Sequence, residues 1–174
     1  MTEFEDEYSA SVESEVRELR GALLGDTINT LTPVEPICLS ETTLVQDAIT
    51  HMVSGRQPGV LVVDAEGRLI GIFTERDLLT RVVGADRDPR ATSLGAVMTR
   101  RPEALSLRDR VCYALNRMSV AGYRTIPLVD DANRPIGVVT VHDFIKWLAH
   151  LFPEAVLNLR PGDEIKRPLE VDAG

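Results

Sequence analysis

Apolar and polar positions alternate along this chain in two similar series, each of which predicts the same five elements. A short strand and a polar turn lead to a helix whose apolar residues recur every three or four positions. Two strands joined by a tight turn follow, and a second helix closes the series at about 75–83 and again at about 141–151. The predicted strands are 37–39, 60–63 and 69–73, then 104–105, 126–129 and 136–140. This order predicts an α/β fold with two small sheets.

The two series are copies of one unit. Residues 36–79 align with residues 102–145 without a gap, and 13 of the 44 aligned positions are identical. The stretch GIFTERDLL, which begins at Gly71, returns sixty-six residues later as GVVTVHDFI, which begins at Gly137. A unit of this size cannot bury its apolar face alone, so the two copies are expected to pack on each other. Anything bound between them would meet two similar half-sites.

Segments outside the copies complete the predicted organisation. It consists of an acidic N-terminal extension with a helix (1–30), a first repeat (31–84), a linker (85–95), a second repeat (96–151) and an irregular tail (152–174). The helix is indicated by a single apolar stripe from about Ser11, made of Val12, Val16, Leu19 and Leu23. Gly21 and Gly25 are expected to end it. The stripe should lie against the repeat core or against a second subunit.

The net charge of the chain disfavours some classes of binding partner. Nineteen basic and 27 acidic residues give a net charge of −8, which disfavours binding to nucleic acid or to anionic lipid. No window of 18 apolar residues occurs, so a membrane span is not predicted. The first residues are acidic, unlike the basic start of a signal peptide. A cytoplasmic location is therefore expected.

Residues that could carry catalysis are scattered. Cys38 and Cys112 do not occupy matching repeat positions, lack metal-ligand spacing, and are expected to be buried, reduced thiols. The three histidines, His51, His142 and His150, lie in no arrangement of nucleophile, base and orienting group. We therefore predict a protein that is not an enzyme, with no catalytic residues, no catalytic cofactor and no metal.

The repeated Thr-x-x-Asp motif, at Thr74–Asp77 and Thr140–Asp143, has two interpretations. In the first, a strand ends at threonine and a helix begins, so threonine and aspartate only cap the helix, a contribution of about 0.5–2 kcal/mol. In the second, the same helix start binds a ligand. Free N–H groups suit phosphate, and an aspartate one turn inside can accept from the two vicinal hydroxyls of a ribose. The residues alone leave both interpretations open.

Further residues connect these motifs to a family. The two motifs, the upstream Ala-x-x-x-Met pairs and the stretch GYRTIPLVD from Gly122 closely resemble paired CBS domains, the Bateman module, over about residues 31–150. The chain is most similar to a free-standing bacterial protein of this kind. The resemblance implies two repeats related by a pseudo-two-fold axis. It also implies a sensor module with two clefts for an adenine nucleotide (AMP, ADP or ATP) or S-adenosylmethionine, a homodimer and an unidentified protein partner.

Carried over by position, the resemblance assigns residues to each cleft. The first cleft would contain Thr74, Arg76, Asp77, Thr99, Ala104, Tyr123 and Arg124. The second would contain Thr140, Asp143, Thr32, Cys38, Pro58 and Gly59. In the first, Asp77 would hold ribose, Thr74 and Arg124 would hold phosphate, and backbone near Ala104 would meet the purine edge. Because Pro58 stands where the second copy has Arg124, we expect the second cleft to be weaker, empty or selective for an uncharged ligand. The alternative is a structural or interaction protein without a small-molecule ligand.

Overall fold

The chain folds into two α/β units in the computed structural model, which describes Ser14 and residues 16–151. The first half contains α1 (residues 16–25), a 3₁₀ turn (Ile28–Leu31), β1 (Cys38–Ser40), α2 (Val45–Gly55), β2 (Gly59–Val63), β3 (Leu69–Thr74) and α3 (Glu75–Asp77), which continues as a π-helical turn (Leu78–Val82) and a 3₁₀ turn (Val83–Ala85). The second half contains α4 (Leu94–Val97), β4 (Thr99–Arg100), α5 (Val111–Ala121), β5 (Thr125–Val129), β6 (Pro135–Thr140) and α6 (Val141–Leu151). The predicted repetition of two α/β units is confirmed.

The two sheets are built on the same plan. The first has the order β1-β2-β3-β4, with β1 parallel to β2 and the other pairs antiparallel. In the second, β5 pairs with β6, and single bridges at Leu105–Leu128 and Val34–Val138 stand where the first sheet has β1 and β4. The outer strands of the second sheet are therefore reduced to bridges, while the strand order is preserved.

Each core is completed by the segment that precedes the other repeat. Leu94 and Val97 of α4 are buried with Phe73 in the core of the first repeat. Ile28 and Leu31 are buried with Phe144 and its neighbours in the core of the second. This exchange is not visible in the repeat alignment, because residues 28–35 and 94–101 share no identical position. The exchange joins the two repeats.

A smaller apolar cluster lies between the two repeats. Leu61, Leu69 and Ile72 of the first repeat are buried there with Val138 of the second. At its edge the backbone N–H of Leu69 donates to the carbonyl of Asn133 at 2.8 Å, and the Asn133 side-chain amide donates back to the carbonyl of Leu69 at 3.0 Å. Asn133 has a φ of 60°, a left-handed conformation that asparagine tolerates better than most residues. The turn is thereby fixed across the repeat boundary.

The expectation of two buried thiols is wrong for Cys38. Cys38 is exposed and Cys112 is partly buried. Cys38 opens the edge strand β1, where alternate residues face opposite sides and the neighbouring Leu39 faces the core. Partial desolvation of the thiol, and then the nearby carboxylate of Glu35, raise the pKa of Cys38.

The N-terminal helix ends at the second of the two glycines that were predicted to end it. The helix runs through Gly21 as far as Gly25. Of its apolar stripe, Leu23 packs against the core of the second repeat, Val16 is exposed, and Val12 lies outside the described residues. Among the described residues, no helix has the length and apolar character needed to cross a bilayer. The cytoplasmic location stays a prediction.

Candidate ligand-binding site

Both Thr-x-x-Asp motifs form the hydrogen bonds of a helix cap. The backbone N–H and the hydroxyl of Thr74 donate to Asp77 Oδ2 at 2.9 and 2.8 Å, and the N–H of Asp77 donates back to Thr74 Oγ1 at 3.4 Å. The same two groups of Thr140 donate to Asp143 Oδ2 at 2.8 and 2.7 Å. The capping interpretation is therefore confirmed, but it accounts for only one oxygen of each carboxylate. The other oxygen decides what else each motif can do.

The second oxygen of Asp77 is occupied within the chain. The Thr99 hydroxyl donates to Asp77 Oδ1 at 3.2 Å, and Arg81 Nη1 lies 3.3 Å from the same oxygen. Asp77 itself is only 7% exposed. A carboxylate offers about four accepting positions. Four protein groups surround this one, so a ligand hydroxyl would have to displace one of them.

The second oxygen of Asp143 is in a different situation. Asp143 is 6% exposed, and in the described part of the chain its Oδ1 has no hydrogen-bond or ion-pair partner. Val34 pairs with Val138 where Thr99 pairs with Ile72, so a valine stands in the place of the threonine hydroxyl. A carboxylate oxygen with unused accepting positions, on a residue that lines a groove, is suited to a hydroxyl or N–H donor from a ligand.

A groove of about 540 Å³ opens beside Asp143. Its lining comes from both repeats: Val34, Gly55, Arg56, Gln57 and Pro58 from the first half, and Arg124, Val138, Thr140, Val141, His142, Asp143 and Lys146 from the second. Small-molecule sites typically enclose about 300–1,000 Å³ and lie between structural units. The groove is therefore large enough for a nucleotide-sized ligand.

The groove carries positive charge on an acidic protein. Arg56, Arg124 and Lys146 line it, and Asp143 is the one carboxylate that the described part of the chain contributes. Among the ion pairs of residues 16–151, none involves these three cations. Cations clustered in a cleft attract and hold an anion, and the effect falls as salt is added. The lining thus combines an anion-binding part with one hydroxyl-binding carboxylate.

The structure brings together some of the residues predicted for the first cleft. Thr74, Asp77 and Thr99 are joined by direct hydrogen bonds. Ala104 packs at the edge of the apolar cluster between the repeats, and Arg76 is exposed on α3. Thr74 and Thr99 therefore both contact the carboxylate of Asp77, which Arg81 also contacts.

Arg124 lies elsewhere than the sequence analysis placed it. It was assigned to the cleft of Asp77, but it lines the groove of Asp143. The reason is strand pairing: Thr125 is opposite Thr140, and the Arg124 carbonyl accepts from the N–H of Val141 at 3.1 Å. Its neighbour Tyr123 is exposed.

The residues predicted for the second cleft are divided. Pro58 lines the groove with Thr140 and Asp143. Thr32 is exposed and its backbone is left-handed. Thr32 does not line the groove, whereas Val34, two residues later, does. The remaining two, Cys38 and Gly59, stand outside the lining. Gly59 is buried at the start of β2, where an added Cβ would come within 2.8 Å of a backbone oxygen.

Two basic residues of the groove were missed in the sequence. Lys146 lies three positions after Asp143, a spacing that places both on one side of a helix. Arg56 ends α2 with a φ of 51°, where the second repeat has Gly122 at 71°. Arg56 aligns with Gly122, a glycine that caps a helix. This alignment was the signal in the sequence that the backbone of Arg56 is left-handed.

The fold and the groove can now be compared with known proteins. The sequence profile of the CBS domain matches residues 28–84 and 94–150. The Meiotically up-regulated gene 70 protein of Schizosaccharomyces pombe is 31% identical over 140 residues, covering 80% of this chain and 18% of that protein. The CBS domain-containing protein CBSCBSPB2 of Arabidopsis thaliana is 30% identical over 122 residues, covering 70% and 22%. The 5'-AMP-activated protein kinase subunit gamma of Saccharomyces cerevisiae is 26% identical over 131 residues, covering 72% and 40%.

These relatives qualify two expectations. The chain spans about a fifth of the length of the first two relatives, so their whole activities do not transfer to it. All three relatives are eukaryotic. The expectation of a specifically bacterial protein is therefore not supported.

Solved structures with the same fold include ligand complexes. The CBS domain pair of protein MJ0100, solved with 5'-methylthioadenosine and S-adenosyl-L-methionine, has a TM-score of 0.64 at 21% identity and covers 70% of this chain and 98% of its own. CBSX2 in complex with AMP has a TM-score of 0.63 at 20% identity and covers 74% and 99%. Identities at this level establish the shared fold.

Proposed function

Because this chain belongs to the CBS domain family, we propose that it is a non-catalytic sensor that binds an adenine nucleotide in the groove at Asp143. The observation that carries the proposal is the Oδ1 of Asp143, which has no partner among residues 16–151 and belongs to a residue that lines a cationic groove between the repeats. Similar domain pairs bind AMP or S-adenosyl-L-methionine, which supports an adenosyl ligand.

The carboxylate would hold the ribose. Thr140 already donates twice to Asp143 Oδ2, which fixes the orientation of the carboxylate. Oδ1 is left with two accepting positions, the number that the vicinal 2'- and 3'-hydroxyls of a ribose require. A hydrogen bond to a charged group contributes about 1.5–3 kcal/mol, so this contact is a major part of the expected affinity.

The three cations would hold phosphate. Arg56 comes from the first repeat, and Arg124 and Lys146 come from the second, so an anion between them would be contacted from both sides. S-adenosylmethionine has a carboxylate but no phosphate, and its sulfonium and ammonium groups give it a net positive charge, so it would gain less from these side chains. The charge of the groove therefore favours AMP, ADP or ATP, and among these the more highly charged nucleotides.

Binding in such a groove would shift the packing of the repeats. The cations repel one another without an anion, whereas a bound phosphate draws Arg56 towards Arg124 and Lys146. A ligand changes a conformational equilibrium only through its different affinity for the two states, and closure around the anion provides that difference. The changed packing would be read by a protein partner.

Thermal unfolding with AMP, ADP, ATP and S-adenosylmethionine tests the proposal. A nucleotide that binds only the native state should stabilise it by about 2.7 kcal/mol at a hundredfold excess over Kd. We expect ATP to act at the lowest concentration and S-adenosylmethionine to act least. Inorganic tripolyphosphate is the control for unspecific anion binding. If none of the four compounds raises the melting temperature, the sensor proposal fails. The alternative, a structural or interaction protein that binds no small molecule, would then be favoured.

Replacing Arg56 by glycine should separate binding from stability. The substitution copies Gly122, removes the guanidinium and relieves the left-handed backbone. Relief of that strain offsets the larger chain entropy of unfolded glycine, so the free energy of unfolding should stay within about 1 kcal/mol of wild type. Affinity for ATP should fall about tenfold, since one charge-assisted contact is lost. Calorimetric titration and urea unfolding measure the two quantities, and unchanged affinity would place the phosphate elsewhere.

The proposal includes a homodimer. Val141, Ile145 and Leu148 form an exposed apolar stripe on α6, on which Ile145 is 58% exposed, while Phe144 is buried in the core. An apolar stripe on the outer side of an amphipathic helix is suited to a second copy of the same stripe. Sedimentation velocity at micromolar concentration should give about twice the chain mass of 19.2 kDa. A single species of the chain mass would contradict the homodimer without affecting the nucleotide site.

A further inference from the structure

The helix after the first Thr-x-x-Asp motif contains a π-helical turn, and its counterpart does not. After Asp77 the chain follows a π-helical path over Leu78–Val82. After Asp143 the helix α6 is α-helical throughout Val141–Leu151. A π-helical turn inserts an extra residue in the turn and changes the direction of the side chains that follow, and such turns are frequent at functional sites.

Arg81, four residues after Asp77 and within this turn, contacts the carboxylate of the motif. Arg81 Nη1 lies 3.3 Å from Asp77 Oδ1 and donates to the carbonyl of Val97 at 3.0 Å. The Thr99 hydroxyl donates to the same carboxylate oxygen at 3.2 Å. Val97 ends α4 and Thr99 begins β4, so Arg81 connects the motif of the first repeat to the segment that precedes the second.

Among residues 16–151, neither group has an equivalent at Asp143. In the aligned sequence, Trp147 corresponds to Arg81, and its indole N–H donates to Asp26 Oδ2 at 3.1 Å. Val34 stands where Thr99 stands and offers no hydroxyl. The two repeats therefore differ at two positions, Arg81 against Trp147 and Thr99 against Val34. These differences leave the carboxylate of Asp77 occupied and that of Asp143 open.

We propose that Arg81 and Thr99 determine which cleft accepts a nucleotide, and that they close the cleft of Asp77, so that each chain binds one nucleotide at Asp143. The inference rests on the proposed function. Ribose hydroxyls approaching Asp77 Oδ1 compete with a guanidinium and a hydroxyl that are already in place, while those approaching Asp143 Oδ1 meet no competitor among the described residues. The Arg81 side of the ion pair is partly exposed, so the pair alone contributes little, but the hydrogen bonds of Arg81 to Val97 and of Thr99 to Asp77 act with it.

Equilibrium dialysis with labelled ATP measures the number of sites directly. The wild-type chain should bind one ATP, and Asp143→Ala should bind none. The double substitution Arg81→Met with Thr99→Val should raise the number to two, because methionine keeps the aliphatic part of arginine and valine copies Val34. The same double substitution combined with Asp143→Ala should bind one ATP, at the opened cleft of Asp77. Circular dichroism melts show whether each variant is folded.

A reciprocal variant keeps the inference testable if the double substitution unfolds. Val34→Thr should place a hydroxyl at Asp143 Oδ1 and weaken ATP binding at least tenfold, whereas the similarly sized Val34→Ile should change affinity less than threefold. Two ATP molecules per wild-type chain would overturn the closed cleft and leave the proposed function intact. One ATP in a folded double variant, or full affinity in Val34→Thr, would also overturn it. No ATP bound by wild type would reject the proposed function itself and this inference with it.

Discussion

Replacing Asp143 by alanine should abolish the stabilisation of this protein by ATP, and replacing Asp77 by alanine should leave it. Each substitution removes the two threonine hydrogen bonds of a cap, so Asp143→Ala should lower the stability of the ligand-free protein by about 0.5–2 kcal/mol. Asp77→Ala should lower it further, because it also removes the contacts of Asp77 with Thr99 and Arg81. Of the two carboxylates, only Asp143 has an oxygen without a partner among residues 16–151, and this oxygen is the one proposed to bind the ribose. The ligand-induced gain, about 2.7 kcal/mol at a hundredfold excess over Kd, should therefore disappear in that variant alone.

Thermal unfolding of the three proteins, with and without ATP, measures this difference. Asp77→Ala is a matched control, because Asp77 occupies the same position of the motif as Asp143 and is buried to nearly the same extent. If both variants lose the stabilisation by ATP equally, that stabilisation depends on the helix caps and not on the groove. Loss in Asp77→Ala alone would move the nucleotide to the first cleft.

Replacing Leu94 by alanine should cost about 2–5 kcal/mol, a large part of the 5–15 kcal/mol that is typical of a domain. Leu94 is 0% exposed in the core of the first repeat, although it precedes the second repeat in the chain. Its removal should leave a cavity against Phe73 and loosen α4. Leu79→Ala, at a site that is 64% exposed, should change stability by less than about 0.5 kcal/mol.

Urea unfolding gives both free energies, and hydrogen exchange locates the effect. Amide protection should fall first in β2 and β3, which share the core with Leu94. A cost below about 1 kcal/mol for Leu94→Ala, or loss of protection confined to β5 and β6, would contradict the exchange of segments between the repeats.

The regular elements could be predicted because local pattern determines them. The two turns between the paired strands are an example. Asp64 accepts from the N–H groups of Glu66 and Arg68, and Asp130 accepts from those of Ala132 and Arg134. One short polar side chain at a fixed offset fixes each turn, and this signal is contained within five residues of sequence.

The site could be predicted only in part, because its second half depends on contacts distant in sequence. Whether Arg124 meets Asp77 or Asp143 follows from the pairing of β5 with β6, which the repeat alignment does not contain. The π-helical turn that carries Arg81 is equally invisible, since Leu78–Val82 is an ordinary helical sequence. A bound phosphate needs a cation, and Arg124 lies in the groove of Asp143 and not near Asp77. The second cleft is therefore favoured for a nucleotide, whereas the sequence had led us to expect the weaker site there.

The most direct test of the account is a crystal structure of the protein with ATP. It should show both ribose hydroxyls within about 2.7–3.0 Å of Asp143 Oδ1, with the phosphates among Arg56, Arg124 and Lys146. ATP bound instead at Asp77, with the groove of Asp143 lacking nucleotide density at saturating ATP, would contradict it.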